Sequence, residues 1–283
     1  MAKPRSAGLR PEEARCKAPL PAAPPRFLAV LIDPPGGAAW NMAVDEVLLE
    51  AAAAGAWTLR LYAWRRPTVS LGYAQRGREA FDAGAARRLG VGVVRRPTGG
   101  RAVLHADELT YALAAPTSVG PLAAGIGASY RLISSGLQAG LESLGAAVRL
   151  ERSAGAGAAA RGPCFAARAR FELTFAGRKM AGSAQRRCDW ALLQHGSLLL
   201  GRPDPRLWRA LGSGHEEAAA ASIGLVEALG CRPSPARLAA CLARGIGAAL
   251  GLEPRTARLS CAQRRRATAL RARYRDPAWT ARR

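Results

Sequence analysis

Apolar residues recur along this chain with two periods, and the switches between them outline the elements. Val44, Val47, Leu48 and Ala51 follow the helical spacing, with Asn41 as the expected N-cap and Gly55 in the C′ position. Trp57, Leu59, Leu61 and Ala63 alternate with polar or outward residues, which predicts a strand, and residues 68–72 predict another after Pro67. A short helix is expected over 78–89, followed by strands at 91–96, 102–105 and 109–114 that bracket the turn Pro97-Thr98-Gly99-Gly100. Tyr130, Ile133, Leu137, Leu141 and Leu144 mark a second amphipathic helix ending at Gly145, before a strand around 147–150. Residues 153–162 are rich in Ala and Gly and are expected to form a mobile loop. A hairpin is predicted from 171–175 and 178–184 about Ala176-Gly177, with a further strand at 190–200. From Pro205 onward the pattern is helical and increasingly arginine-rich, with Arg264-Arg265-Arg266 near an expected loose tail.

Helices and strands are intermixed without regular βαβ alternation. That order predicts an α+β fold, a mixed and largely antiparallel sheet flanked by helices. The expected organisation is a disordered leader over 1–26, one catalytic domain over 27–250 and an arginine-rich C-terminal tail over 251–283.

Composition narrows the function classes. The chain has 283 residues, 49% of them hydrophobic, enough for a sizeable core. Its longest apolar runs fall far short of the roughly 20 residues needed to cross a bilayer, and residues 1–26 lack the apolar centre of a secretory signal, so a cytoplasmic protein with no membrane partner is expected. Six scattered cysteines without a C-x-x-C pair suggest neither a disulfide framework nor a metal site. A net charge of +22 invites a nucleic-acid reading. Against it, the chain carries 42 Lys plus Arg of which only Lys3, Lys17 and Lys179 are lysines, a pattern of drift towards arginine, and no RNA-binding motif or zinc finger accompanies the charge, so no nucleic-acid partner is expected. Beyond the leader a single lysine, Lys179, remains. Chemistry that requires a compact ammonium would retain it, and chance survival on an exposed hairpin would leave the same trace.

The familiar motifs are missing or weak. Residues 155–160 fit a dinucleotide fingerprint in letter only, inside a low-complexity stretch, and neither a G-x-x-x-x-G-K-[ST] loop nor a G-x-S-x-G elbow occurs. His105, His195 and His215 stand far apart without carboxylates at ligand spacing. What stands out is the run Arg95-Arg96-Pro97-Thr98-Gly99-Gly100-Arg101-Ala102-Val103-Leu104-His105, whose paired glycines permit positive φ and close approach of a ligand, and equally suit a tight hairpin. Gly177-Arg178-Lys179-Met180-Ala181-Gly182-Ser183 places one ammonium beside a strand of small residues, which is either a second ligand edge or an ordinary hairpin.

Taken in order, Asn41-Met42-Ala43-Val44-Asp45-Glu46, the segment 95–105 with Glu108-Leu109-Thr110-Tyr111, the segment 177–185, and Gln194-His195-Gly196-Ser197 resemble the lipoate-protein ligase and octanoyltransferase family over roughly residues 27–250. Within it, Gly162-Pro163-Cys164-Phe165, seven residues before Phe171, is similar to the nucleophile segment of the octanoyl-carrier-protein transferases typified by Gram-positive bacteria. One departure is Ala106 followed by Asp107, where the family commonly has an acid directly after the histidine.

The resemblance implies a reaction. Cys164 takes an octanoyl group from octanoyl-acyl carrier protein and passes it to a lysine of lipoyl domains, those of 2-oxoacid dehydrogenase E2 subunits and the glycine cleavage H protein, without a cofactor or metal. A free cysteine has a pKa of ~8.5 and is only about 3% thiolate at neutral pH, so a nearby cation helps, and Lys179 is the candidate. Arg96, Thr98, Gly99, Gly100, Arg101, Leu104, His105, Gly182, Ser183 and His195 are the expected substrate-binding positions, with His195 open to a purely structural role. Three other readings stay open: an ATP-dependent lipoate ligase, an octanoyl amidotransferase between lipoyl domains, and a non-catalytic acyl- or nucleic-acid-binding protein.

Overall fold

The computed structural model of the chain describes residues 27–118, 120–151, 171–188, 190–212 and 215–282. The expected leader, the Ala/Gly-rich loop and Cys164 lie outside the described residues.

Strands β1 (Phe27–Ile32) and β2 (Thr58–Tyr62) flank helix α1 (Ala38–Ala53), after which come β3 (Thr68–Leu71), two short helices, α2 (Gly77–Ala80) and α3 (Ala83–Arg88), and β4 (Gly92–Arg95). The middle of the chain gives β5 (Val103–His105), β6 (Glu108–Pro116), α4 (Ile126–Glu142) and β7 (Arg149–Leu150). Strands β8 (Leu173–Phe175), β9 (Arg178–Lys179), β10 (Ala181–Arg187) and β11 (Ala191–Leu199) follow. Helices α5 (Pro205–Trp208), α6 (His215–Ala221), α7 (Leu225–Leu229) and α8 (Pro235–Leu250), strand β12 (Glu253–Thr256), and helices α9 (Cys261–Arg275) and α10 (Pro277–Ala281) complete the order.

The main sheet runs β10-β11-β6-β2-β1-β12. Its β10, β11, β6 and β2 pair antiparallel, while β1 joins β2 and β12 in parallel, so the sheet is mixed. All nine residues of β11 are buried, because helices cover both faces. On one face α4 and α8 pack Ile133, Leu137, Leu242 and Ile246 over Leu59, Leu113 and Leu192. Their axes come close because Gly140 lies against α8: a Cβ there would sit 2.7 Å from the Cys241 carbonyl oxygen. On the other face α1 and α9 pack Val44, Val47, Leu48, Leu270 and Tyr274 over Ala112, Ala114 and Leu193. A smaller sheet, β4-β3-β5, carries the glycine turn between β4 and β5.

Several sequence expectations change. Asn41 does not cap α1, which starts three residues earlier behind Gly37; its amide is buried, donating to the Ala63 carbonyl at 3.2 Å and accepting from Arg60 at 3.1 Å. The helix expected over 78–89 is two, since Asp82 breaks the run and caps α3 by accepting from the Ala85 N–H. The segment 178–184 also divides: β9 closes the β8 hairpin across Ala176 and Gly177, both with positive φ, and β10 enters the main sheet.

The arginine-rich segment after 250 is not loose in its described part. β12 extends the main sheet beside β1, and α9 covers α1. Arg95 ties α10 down by donating to the carbonyls of Trp279, Thr280 and Arg282 at 2.8 to 3.2 Å, and the Trp279 indole returns a bond to the Arg95 carbonyl. The misreading came from counting charge: every third or fourth residue of α9 (Ala267, Leu270, Tyr274) is buried, while its arginines face outward or meet Glu46 and Glu50.

Candidate active site

The glycine turn, β3, β5, β10 and β11 enclose a narrow cavity of about 30 Å³. Arg96, Gly100, His105, Gly182, Ser183 and His195, six of the expected positions, line it, with Met42, Tyr62, Trp64, Ser70, Thr110 and Ser197. Thr98, Gly99 and Arg101 adjoin it through the turn, Thr98 bonding to His195 and the carbonyls of the other two accepting from Arg96. Leu104 is not on the wall; it is fully buried among Val69, Leu71 and Val91, behind β3.

Arg96 has five N–H donors, and the turn and β3 take all of them. Its Nε donates to Thr98 Oγ1 at 3.2 Å, Nη1 to Ser70 O and Oγ at 2.7 and 3.2 Å, and Nη2 to the Gly99 and Arg101 carbonyls at 2.6 and 2.8 Å. Only a planar guanidinium reaches this many acceptors at once. Gly100 sits at φ 85°, and a side chain there would press on Arg96 Nη2 at 2.9 Å, so glycine is required twice over.

Two carboxylate–histidine–hydroxyl chains converge on that guanidinium. In the first, His195 Nδ1 lies 2.9 Å from Asp45 Oδ2 and Nε2 lies 2.6 Å from Thr98 Oγ1. In the second, His105 Nδ1 is 3.4 Å from Glu108 and Nε2 is 2.8 Å from Ser70 Oγ, while the ring stacks on Trp64 at 4.2 Å. Donor accounting assigns the protons: Arg96 donates to each hydroxyl, each hydroxyl to Nε2, and each Nδ1–H to its carboxylate.

Burial alone pushes the Asp45 carboxyl up, but the His195 bond, the Arg60 guanidinium at 2.9 Å and the Tyr62 hydroxyl outweigh it and hold it below the usual range. Burial pushes His195 below its ordinary value despite Asp45, so the ring is neutral near pH 7. On the far face of the sheet, burial pushes the Tyr111 phenol up to about 12, and it stays protonated. Tyr111 accepts from Gln194 Nε2 at 2.9 Å and lies 2.7 Å from Ser183 Oγ, so the Ser183 hydroxyl is engaged on that far face and Ser183 meets the cavity through its backbone.

Lys179 sits where the chain leaves the small hairpin for the main sheet. Its Nζ donates to Glu172 Oε1 at 2.7 Å, with both side chains buried, so it is not a chance survivor on an exposed turn. Its β9 partner is Thr174, and its carbonyl accepts from the Ile223 N–H. Asp107, the departure in the motif, takes positive φ and turns outward to a bidentate pair with Arg232 at 2.7 and 2.8 Å. His215 is remote from the cavity, bonded to the Gly212 carbonyl. Among the described residues no cluster of His, Cys, Asp or Glu is placed to hold a metal ion, and no helix is long and apolar enough to cross a membrane.

The sequence motifs hold Asp45 and Glu108 without a role for either, and Glu172 stands next to Phe171 unremarked. A usable signal existed for two of them: Asp45 interrupts the apolar face of α1 one turn after Asn41, and Glu172 precedes the hairpin that carries the body's one lysine. Ser70 and Ser197 carried no such signal, since only the folded cavity distinguishes them.

The model of the lipoyl protein ligase A/B catalytic domain matches residues 37–225, which hold every element around this cavity. The chain belongs to that family. Among its relatives, Octanoyltransferase LipM of Carboxydothermus hydrogenoformans is 45% identical over 174 residues, covering 60% of this chain and 64% of the relative. Octanoyltransferase LipM of Kyrpidia tusciae is 37% identical over 262 residues, covering 86% and 94%. The fold is that of the family's solved structures. A lipoate-protein ligase A bound with ATP superposes with a TM-score of 0.78 at 20% identity, over 90% of this chain and 98% of that one. A bi-partite lipoate protein ligase from Thermoplasma acidophilum does so with 0.73 at 19% identity, over 90% and 96%.

Proposed function

We propose that the chain is an octanoyltransferase that moves an octanoyl group from octanoyl-acyl carrier protein to a lysine of lipoyl domains, with Cys164 as nucleophile. The observation that carries the reading is the octanoyltransferase name shared by relatives 37 to 45% identical to this chain, against ligases at 19 to 20% that share its fold. In the first step the Cys164 thiol gives up its proton and attacks the thioester carbonyl carbon; the new C–S bond forms, the bond to the carrier sulfur breaks, and the same proton leaves on the carrier thiol. In the second, the neutral lipoyl-domain amine attacks the acyl-cysteine, the C–N bond forms, the C–S bond breaks, and the amine proton passes to the departing sulfur, restoring the Cys164 thiol. A thioester is already activated, so ATP has no part. Lys179 supplies the positive charge near the reacting carbonyl, and backbone N–H groups near Gly182 and Ser183 are the donors for the oxyanion. Arg96 acts as a positioning residue, because its donors are committed to the turn. A cytoplasmic setting, where thiols stay reduced, belongs to the same reading.

The test is transfer to an apo lipoyl domain from octanoyl-carrier protein without ATP, set beside free octanoate with ATP. Modification in the first mixture supports the transferase. Modification in the second alone would make the chain a ligase. Octanoyl-lipoyl domain as the better donor would make it an amidotransferase.

A further inference from the structure

The polar groups of the cavity wall divide sharply. Tyr62, Ser70, Arg96, His105, Thr110 and His195 all spend their hydrogen bonds inside the protein. Ser197 does not. Its Oγ is buried, lines the cavity and has no hydrogen-bond partner among the described residues. An unpaired buried hydroxyl is uncommon in a folded protein, and one on the wall of a cavity points to a ligand that brings the acceptor.

We infer that Ser197 binds the carbonyl oxygen of the acyl group, which makes it a positioning residue of the site. The chemistry of the ligand decides which end it meets, since an alkyl chain offers no acceptor whereas thioester, acyl-cysteine and product amide all present a carbonyl oxygen. The neighbours agree with that assignment. Ser197 pairs across β10 with Gly182, which brings no side chain of its own, and across β6 with Thr110, whose hydroxyl is taken by Glu108. Met42, Trp64 and Val103 supply apolar wall for the chain itself. The inference rests on the octanoyl-transfer reading only for the identity of the acyl group.

The probes are hexanamide, octanamide and decanamide, titrated calorimetrically into wild type and Ser197→Ala, with thermal unfolding of both. The variant is expected to bind all three about tenfold more weakly, by the same factor for each length, with a melting temperature no lower than wild type, because the deleted hydroxyl has no partner to lose. A loss that grows or shrinks with chain length would place Ser197 at the alkyl end and overturn the assignment. Equal affinities, or no amide binding by wild type, would overturn it too. Amide affinity is read without turnover, so wild type failing to transfer from octanoyl-carrier protein would count against the transferase reading and leave the Ser197 result standing.

Discussion

Lys179 Nζ and Glu172 Oε1 lie 2.7 Å apart, and both side chains are buried. The pair fixes the ammonium at the junction of β9 and β10, where the chain passes into the cavity wall. Removing one partner of such a buried pair takes away the other charge's 2.7 Å counter-ion, which costs about 3–5 kcal/mol. Glu172→Ala is therefore expected to lower the urea-unfolding free energy by about that much. Glu172→Leu with Lys179→Met, which removes both charges, is expected to recover most of the stability and none of the transfer activity. A fully active double variant would show that the pair serves the fold alone.

Arg96→Lys keeps the charge at the turn but not the fork that reaches Thr98, Ser70, Gly99 and Arg101. A loss of about 2–3 kcal/mol is expected from the unpaired carbonyls and hydroxyls, with transfer falling at least tenfold. Wild-type stability and rate in the variant would mean that the charge alone matters.

The pH dependence of stability carries the mark of His195. The imidazole is held below 6.5 in the folded protein, so the unfolded chain takes up its proton first as pH falls. Its contribution is complete above about 6.5 and is lost between there and the lower folded value. Asp45, held below 3.8, adds stability that disappears only at still lower pH. Unfolding free energy is thus expected to be smaller at pH 5.5 than at 7.5, and the difference to shrink in His195→Gln. The same difference in both proteins would remove His195 from the account.

Much of the fold was legible because the apolar periods of α1, α4, β2, β6 and β11 are set by the two-sided burial of one sheet. Composition misled where it stood in for pattern: the arginines of α9 hid the buried Ala267, Leu270 and Tyr274. The site was legible in its outline, since the paired glycines and the solitary lysine are chemically unusual at their positions. Its partners were not, because the bonds joining Asp45 to His195 and Ser70 to His105 span 150 and 35 residues and exist only once β3, β5, β11 and α1 have assembled.

That assembly includes the C-terminal helices. Ending the chain at residue 260 would uncover the outer face of α1 and strip Arg95 of the carbonyls of Trp279, Thr280 and Arg282. Losing the burial of Leu270 and Tyr274 at about 2 kcal/mol each, with the Arg95 bonds, is expected to lower the melting temperature by roughly 10 °C by differential scanning calorimetry. An unchanged melting temperature would return the segment to a loose tail.

The most direct measurement of the central claim is intact mass after incubation with octanoyl-carrier protein and no ATP, for wild type and Cys164→Ala. An octanoyl adduct is expected on wild type, absent from the variant and discharged by an apo lipoyl domain. An adduct that survives in Cys164→Ala, or no adduct while the lipoyl domain is still modified, would contradict the acyl-cysteine route.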